Sequence, residues 1–137
     1  MGGPFKGASG NLLNSWLRQV GLEREYMRVD NIYPFMPPGY AAKGAIERVG
    51  AAELAEWMEK VHDKIAEMPN LRVIVPMGNY ATFALTGKGK VRAAVRNHFR
   101  WEDSAVSIAD KKAGITSLRG SVYHYMTDRL IKVIPTI

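Results

Sequence analysis

The sequence predicts an α/β domain built on a largely parallel sheet. Segments of helical period alternate along the chain with short β-rich runs, the order that builds strand–helix–strand units. The run "LRVIVPMG" is apolar almost throughout, the pattern of a strand covered on both faces. At 137 residues the chain has room for one domain with a sizeable core.

In order along the chain, residues 2–10 read as a glycine-rich loop holding one large aromatic, Phe5. "NLLNSWLRQVG" follows. Its Leu12, Leu13, Trp16, Leu17 and Val20 share one helical face, with Ser9 or Asn11 to cap the start and Gly21 to end it. "MRVDNIY" has the alternation and β-branched content of a short strand, stopped by Pro34, Pro37, Pro38 and Gly39. Residues 51–67 give the clearest helix, with Leu54, Trp57, Met58, Val61 and Ile65 in one stripe. "LRVIVPMG" is the next strand and "NYATFALTG" a short helix after Gly78. Residues 91–99 read as helix within a basic stretch. "GITSLRGSVYHY" reads as extended, with a hairpin among its options, and "RLIKVIPTI" as a last strand. Ligands of parallel sheets bind beyond the carboxyl ends of the strands, which here means residues 31–38, 76–78 and 135–137.

Composition narrows the class. An apolar share of 47% and a charged share of 23% are those of a soluble globular domain. No apolar run is long enough to cross a bilayer, and the start does not read as a secretory signal, so a cytoplasmic protein without a membrane partner is expected. There is no cysteine, which excludes disulfides, thiol catalysis and any thiolate-held metal or iron–sulfur cluster within this chain. The net charge is +6 and unevenly placed. Residues 88–112 carry Lys88, Lys90, Arg92, Arg96, Arg100, Lys111 and Lys112 against Glu102, Asp103 and Asp110, which is +4 of the total. Such clustering suits a polyanionic partner, and equally a solvated basic face.

The residues alone name no catalytic constellation. The opening loop could cradle a phosphate at a helix N-terminus, but it lacks the Gly-Lys-Ser/Thr of a P-loop and the G-x-G-x-x-G of a dinucleotide site, and a plain turn is the commoner use. Phe5 by itself fits a core position better than a ligand platform. Asn31, at the end of the expected first strand, offers a donor and an acceptor together, able to read the edge of a nucleobase or to cap a turn. His62, His98 and His124 have no metal-ligand spacing and no evident carboxylate partner, so neither a metal nor a cofactor is expected.

Taken together, four segments resemble the uracil-DNA glycosylase superfamily, in the branch of the family 4 enzymes and related phage proteins. They are "GGPFKGASGNLLNSWLRQVGLER", "VDNIYPFMPPG", "LRVIVPMGNYATFALTG" and "ITSLRG" with "RLIKVIPTI". Each motif is weak singly; their order over most of the chain is specific. The resemblance implies a three-layer α/β/α sandwich around a mostly parallel sheet, and hydrolysis of the N-glycosidic bond of uracil in DNA after base flipping. It implies that Phe5 stacks on the base and Asn31 reads its edge. Gly3, Pro4, Gly7, Ser9 and Gly10 then form the pocket loop, and Lys88, Lys90, Arg92, Arg96 and Arg100 meet the DNA backbone.

The departures are specific. The family's first, acidic motif and its closing His-Pro motif have no counterpart, and Phe35 stands where the cluster-bearing relatives have a cysteine. The expectation is therefore a single monomeric domain over residues 1–137, incomplete at both ends, with no catalytic residue of its own and inactive by itself. The rival is a non-catalytic nucleic-acid-binding α/β module that relies on the basic stretch; a weaker third reading is an unrelated nucleotide-binding domain.

Overall fold

The computed structural model of the chain describes residues 7–21, 27–32, 45–98 and 106–136. The chain forms two compact units, Met1–Phe35 and Met36–Ile137.

The first unit contains helix α1, Gly7–Gln19. It begins five residues before Leu12, the first residue of its apolar stripe, so Gly7, Ser9 and Gly10 belong to the helix and not to a preceding loop. Gly21 ends it as expected, at φ 78°, with its N–H on the Arg18 carbonyl. Residues 27–32 form no strand. The Asp30 side chain accepts from the Asn31 N–H at 2.8 Å and pairs with Arg28. Short acidic side chains compete in this way for backbone donors that a ladder would use.

The second unit is α/β. A 3₁₀ turn at Ala45–Arg48 leads into helix α2, Ala51–Ala66, then strand β1 at Val73–Ile74, helix α3 at Asn79–Thr86 and helix α4 at Ala93–His98. Two short helices, α5 at Ile108–Lys112 and α6 at Ile115–Leu118, precede strands β2 at Tyr123–Tyr125 and β3 at Asp128–Val133. The sheet order is β1-β3-β2. β1 and β3 are parallel, while β2 and β3 form an antiparallel hairpin, so the sheet is mixed. Residues 115–118 are helical where extended chain was expected. Gly114 opens that turn, and the Arg119 N–H closes it on the Ile115 carbonyl.

The core lies between α2, α3 and one face of the sheet. Ile65, Leu85, Tyr125, Ile131 and Val133 are buried together, with Val61, Leu71, Ile74 and Tyr123 packed around them. Of the predicted α2 stripe, Leu54, Met58 and Ile65 are buried. α3 is buried on nearly all sides, which forces its two threonines to find partners. Thr82 and Thr86 return their hydroxyl protons to the Gly78 and Thr82 carbonyls, both at 2.8 Å. The β1 run is not covered on both faces: Val73 and Val75 are about half exposed (49% and 51%). They share a sheet face with exposed Lys132, the partner of Val73 in register.

Candidate functional site

The parallel pair β1 and β3 brings two of the expected strand ends together. Past β1 and β3, Met77 bridges Thr136 in parallel. The Thr136 N–H donates to the Pro76 carbonyl and the Gly78 N–H to the Thr136 carbonyl, each at 2.9 Å. Gly78, at φ 88°, turns the chain from the strand end into α3, a backbone state that glycine adopts without strain. Directly after α6, the Gly120 N–H donates to the Pro135 carbonyl at 2.9 Å. Residues 76–79, 118–120 and 135–136 thus gather at the carboxyl end of the strand pair.

The basic stretch is fastened to this end by its own cations. Gly87 caps α3 in the left-handed region, and Gly89 follows at φ 114°. A Cβ at Gly89 would stand 3.2 Å from the Asn79 carbonyl oxygen, so close approach as well as backbone sign requires glycine. The Arg96 guanidinium, on α4, donates to the Gly87 and Gly89 carbonyls at 2.7 and 2.6 Å and to Lys111 at 3.2 Å. It lies 4.7 Å over the Phe83 ring. Its planar fork gathers three carbonyls that would otherwise face one another.

Arg92 donates to the Val49 carbonyl at 2.6 Å, and its Nε lies 3.4 Å from the Glu47 carboxylate, near enough for charge attraction but without hydrogen-bond geometry. The same carboxylate accepts from the Tyr80 hydroxyl at 2.6 Å. Burial, aided by this carboxylate, raises the Tyr80 phenol above its usual range. Lys88 pairs with Asp110 at 2.7 Å, and that hydrogen bond holds the Asp110 carboxyl below its usual value. Ser107 caps α5 by accepting from the Asp110 N–H.

The predicted contact residues therefore separate. Lys88, Arg92 and Arg96 have internal partners. Lys90 and Lys112 are exposed, as is Arg119 beside Gly120. Sequence reasoning did not single out Arg119, although it is the arginine of the "RG" segment and adjoins the glycine that binds the strand end. Asn31 is exposed in the first unit. Gly7, Ser9 and Gly10 occupy the first turn of α1. Phe5, Gly3, Pro4, Phe35 and Arg100 lie outside the described residues.

A third constellation centres on His62 of α2. His62 Nε2 donates to the Ala84 carbonyl at 2.6 Å, which leaves Nδ1 to accept from the Tyr125 hydroxyl. The two rings stack with centroids 5.3 Å apart. Burial lowers the His62 pKa, against the raising effect of its backbone bond and of Glu59 and Asp63. His62 is thus a neutral tie between α2, α3 and β2. His98 and His124 are exposed. Among the described residues, no group of three or more histidine, aspartate or glutamate side chains could hold a metal ion, and no helix is long and apolar enough to cross a membrane.

A family model described as the uracil DNA glycosylase superfamily matches residues 1–136. No curated protein and no solved structure matches. With the matched region running through every segment on which the resemblance rests, the chain belongs to the uracil DNA glycosylase superfamily.

Proposed function

We propose that this protein is a DNA-repair glycosylase domain that acts on uracil-containing DNA and binds a flipped-out uracil; without a counterpart of the family's acidic and His-Pro motifs, the chain by itself holds the base and does not hydrolyse its N-glycosidic bond. The observation that carries this reading is the family match over residues 1–136, which includes both the Phe5 loop and Asn31. Flipping costs a few kcal/mol, and an aromatic face recovers about 1–3 kcal/mol by stacking on a base. Phe5 is assigned that role. Asn31 is assigned the base edge: its amide donates to a carbonyl oxygen of uracil and accepts from the neighbouring ring N–H. Negative charge grows on the departing base, so fixed donors around it lower the barrier.

Phosphate contact is assigned first to the exposed cations at the carboxyl end of the strand pair, Lys90, Lys112 and Arg119, together with Arg100. For Lys88, Arg92 and Arg96, contact with phosphate competes with the internal bonds described above. Their main assignment is to hold the basic stretch in place.

The test uses two single-stranded oligonucleotides that differ only in one uracil or thymine. Expected is tighter binding of the uracil strand, a preference erased by Asn31→Ala with a loss of tenfold or more, as for a bidentate base contact worth about 1–3 kcal/mol. Equal binding of both strands by parent and Asn31→Ala protein would refute the base-reading role. Uracil release from the same strand tests hydrolysis. Release would show that the chain supplies its own catalytic groups, and salt-dependent binding that survives Phe5→Ala and Asn31→Ala favours the second reading, a non-catalytic nucleic-acid-binding module.

A further inference from the structure

A cleft of about 640 Å³ opens at the opposite end of the strand pair. Leu71, just before β1, and Asp128, the first residue of β3, line it. The Met77–Thr136 bridge at the other end lies six to eight residues further along the chain, roughly 20 Å at the rise of a strand.

The cleft is built for an occupant of one charge type. Its floor is apolar, made by Ile65, Leu71, Ile131 and the ring of Tyr125. Its rim carries three carboxylates, Glu59, Asp63 and Asp128, all exposed, and none of the lining residues is a lysine or arginine. No ion pair engages these carboxylates among the described residues. The Arg72 guanidinium donates to the carbonyls of the lining residues Pro69 and Leu71 at 3.3 and 2.9 Å, so the three carboxylates are offset by one cation and an acidic excess remains on a chain whose net charge is +6. A nucleic acid is repelled from such a surface. A short segment bearing lysines or arginines around one apolar side chain fits it: the anchor covers the floor and the cations face the rim, the charge complementarity that gives interfaces their specificity.

We infer that this cleft is a docking site for a basic, apolar-anchored peptide segment of a partner protein. The site stands apart from the strand ends assigned to DNA and does not depend on that assignment. A partner seated here would leave the carboxyl end of the strand pair open.

The experiment is an NMR titration of the ¹⁵N-labelled chain with three synthetic peptides of sequence KLKFK, KGKGK and ELEFE. Expected with KLKFK are amide shifts at Glu59, Asp63, Thr127 and Asp128, weakened by added salt. KGKGK should bind more weakly for want of an anchor, and ELEFE should not bind. The triple variant Glu59→Gln, Asp63→Asn, Asp128→Asn should bind KLKFK about tenfold more weakly, the effect of three partly exposed ion pairs. Asn at position 128 keeps an acceptor for the Leu130 N–H that Asp128 now binds, and an unchanged thermal melt of the variant confirms its fold. Equal binding of KLKFK and KGKGK, shifts spread over distant carboxylates such as Glu53, or undiminished affinity of the folded triple variant would overturn the proposal. If the variant melts early, single Asp63→Asn protein carries the same test, with about a twofold loss expected and none overturning it.

Discussion

Replacing Arg96 by methionine separates its two possible roles, a clamp within the fold or a contact to phosphate. The side chain makes two short bonds to the Gly87 and Gly89 carbonyls and a longer one to Lys111. It also covers the face of Phe83, which is fully buried. A hydrogen bond from a charged donor contributes about 1.5–3 kcal/mol when buried. Arg96 is only part-buried, so water replaces some of each bond after truncation. The cation over the ring adds about 0.5–1 kcal/mol, and methionine keeps the aliphatic contact. The expected loss is therefore about 3 kcal/mol, or roughly 10 °C in Tm for a chain of this size. Arg96→Lys keeps the charge but not the fork and should recover less than half of the loss. Urea unfolding followed by circular dichroism gives the free energy, and oligonucleotide binding at several salt concentrations gives the other side. A stability change below about 0.5 kcal/mol, well under even a single such bond, would refute the clamp. A salt slope reduced by about one phosphate contact at unchanged stability would show that Arg96 faces DNA.

Two further outcomes follow from the same structure. His62 has a lowered pKa in the fold, so between that value and the ordinary value near 6.5 the unfolded chain binds more protons than the folded one. Its contribution to stability is present above about pH 6.5 and is lost as pH falls toward the folded value; a urea midpoint that drops from pH 7.5 to pH 5 in the parent and less steeply in His62→Gln checks this. Gly89→Ala combines a positive φ with a 3.2 Å approach to the Asn79 carbonyl, whereas Gly78→Ala has the positive φ with open space around the new carbon. Thermal melts should therefore show the Gly89 variant losing the more, by about 1–3 kcal/mol against about 1 kcal/mol for Gly78, and the reverse order would show that the approach is relieved by movement of the loop.

The elements that were legible in the sequence are those whose signal is periodic and local. The α2 stripe, a strand at Val73–Ile74, the buried α3 after Gly78 and the final strand all follow from apolar spacing and glycine placement. Where the reading failed, a local competitor had won. Residues 27–32 carry strand-like alternation, but Asp30 takes the Asn31 N–H. Residues 115–118 include β-branched side chains, yet they close into a four-residue helix, and Gly120, at φ 76°, turns the chain after it. The start of α1 was hidden because its first turn, "GASG", has no side chain that marks a helix. β1 was read as covered on both faces because Val73 and Val75 are apolar, and composition does not reveal on which side a sheet is packed.

The same limit governs the basic stretch. Counting charges places seven cations between residues 88 and 112 but gives no direction to any of them. In the fold, direction depends on which carbonyls lie within reach. The positive-φ glycines Gly87 and Gly89 present their carbonyls to the Arg96 guanidinium on α4, and Arg92, just before α4, reaches the Val49 carbonyl. These two arginines therefore turn inward, toward Gly89 and Val49, Lys88 pairs with Asp110, and Lys90 and Lys112 are exposed. Carboxylates meet some of these cations directly, Asp110 on Lys88 and Glu47 near Arg92, and three others line the cleft at the amino end of β1 and β3. Exposed Lys90, Lys112 and Arg119 lie toward the carboxyl end, whereas at the amino end Glu59, Asp63 and Asp128 stand among exposed Arg72 and Arg129. A polyanion is attracted to the unpaired charge of exposed cations, and Lys90, Lys112 and Arg119 offer it at the end where a parallel strand pair presents its ligand crevice.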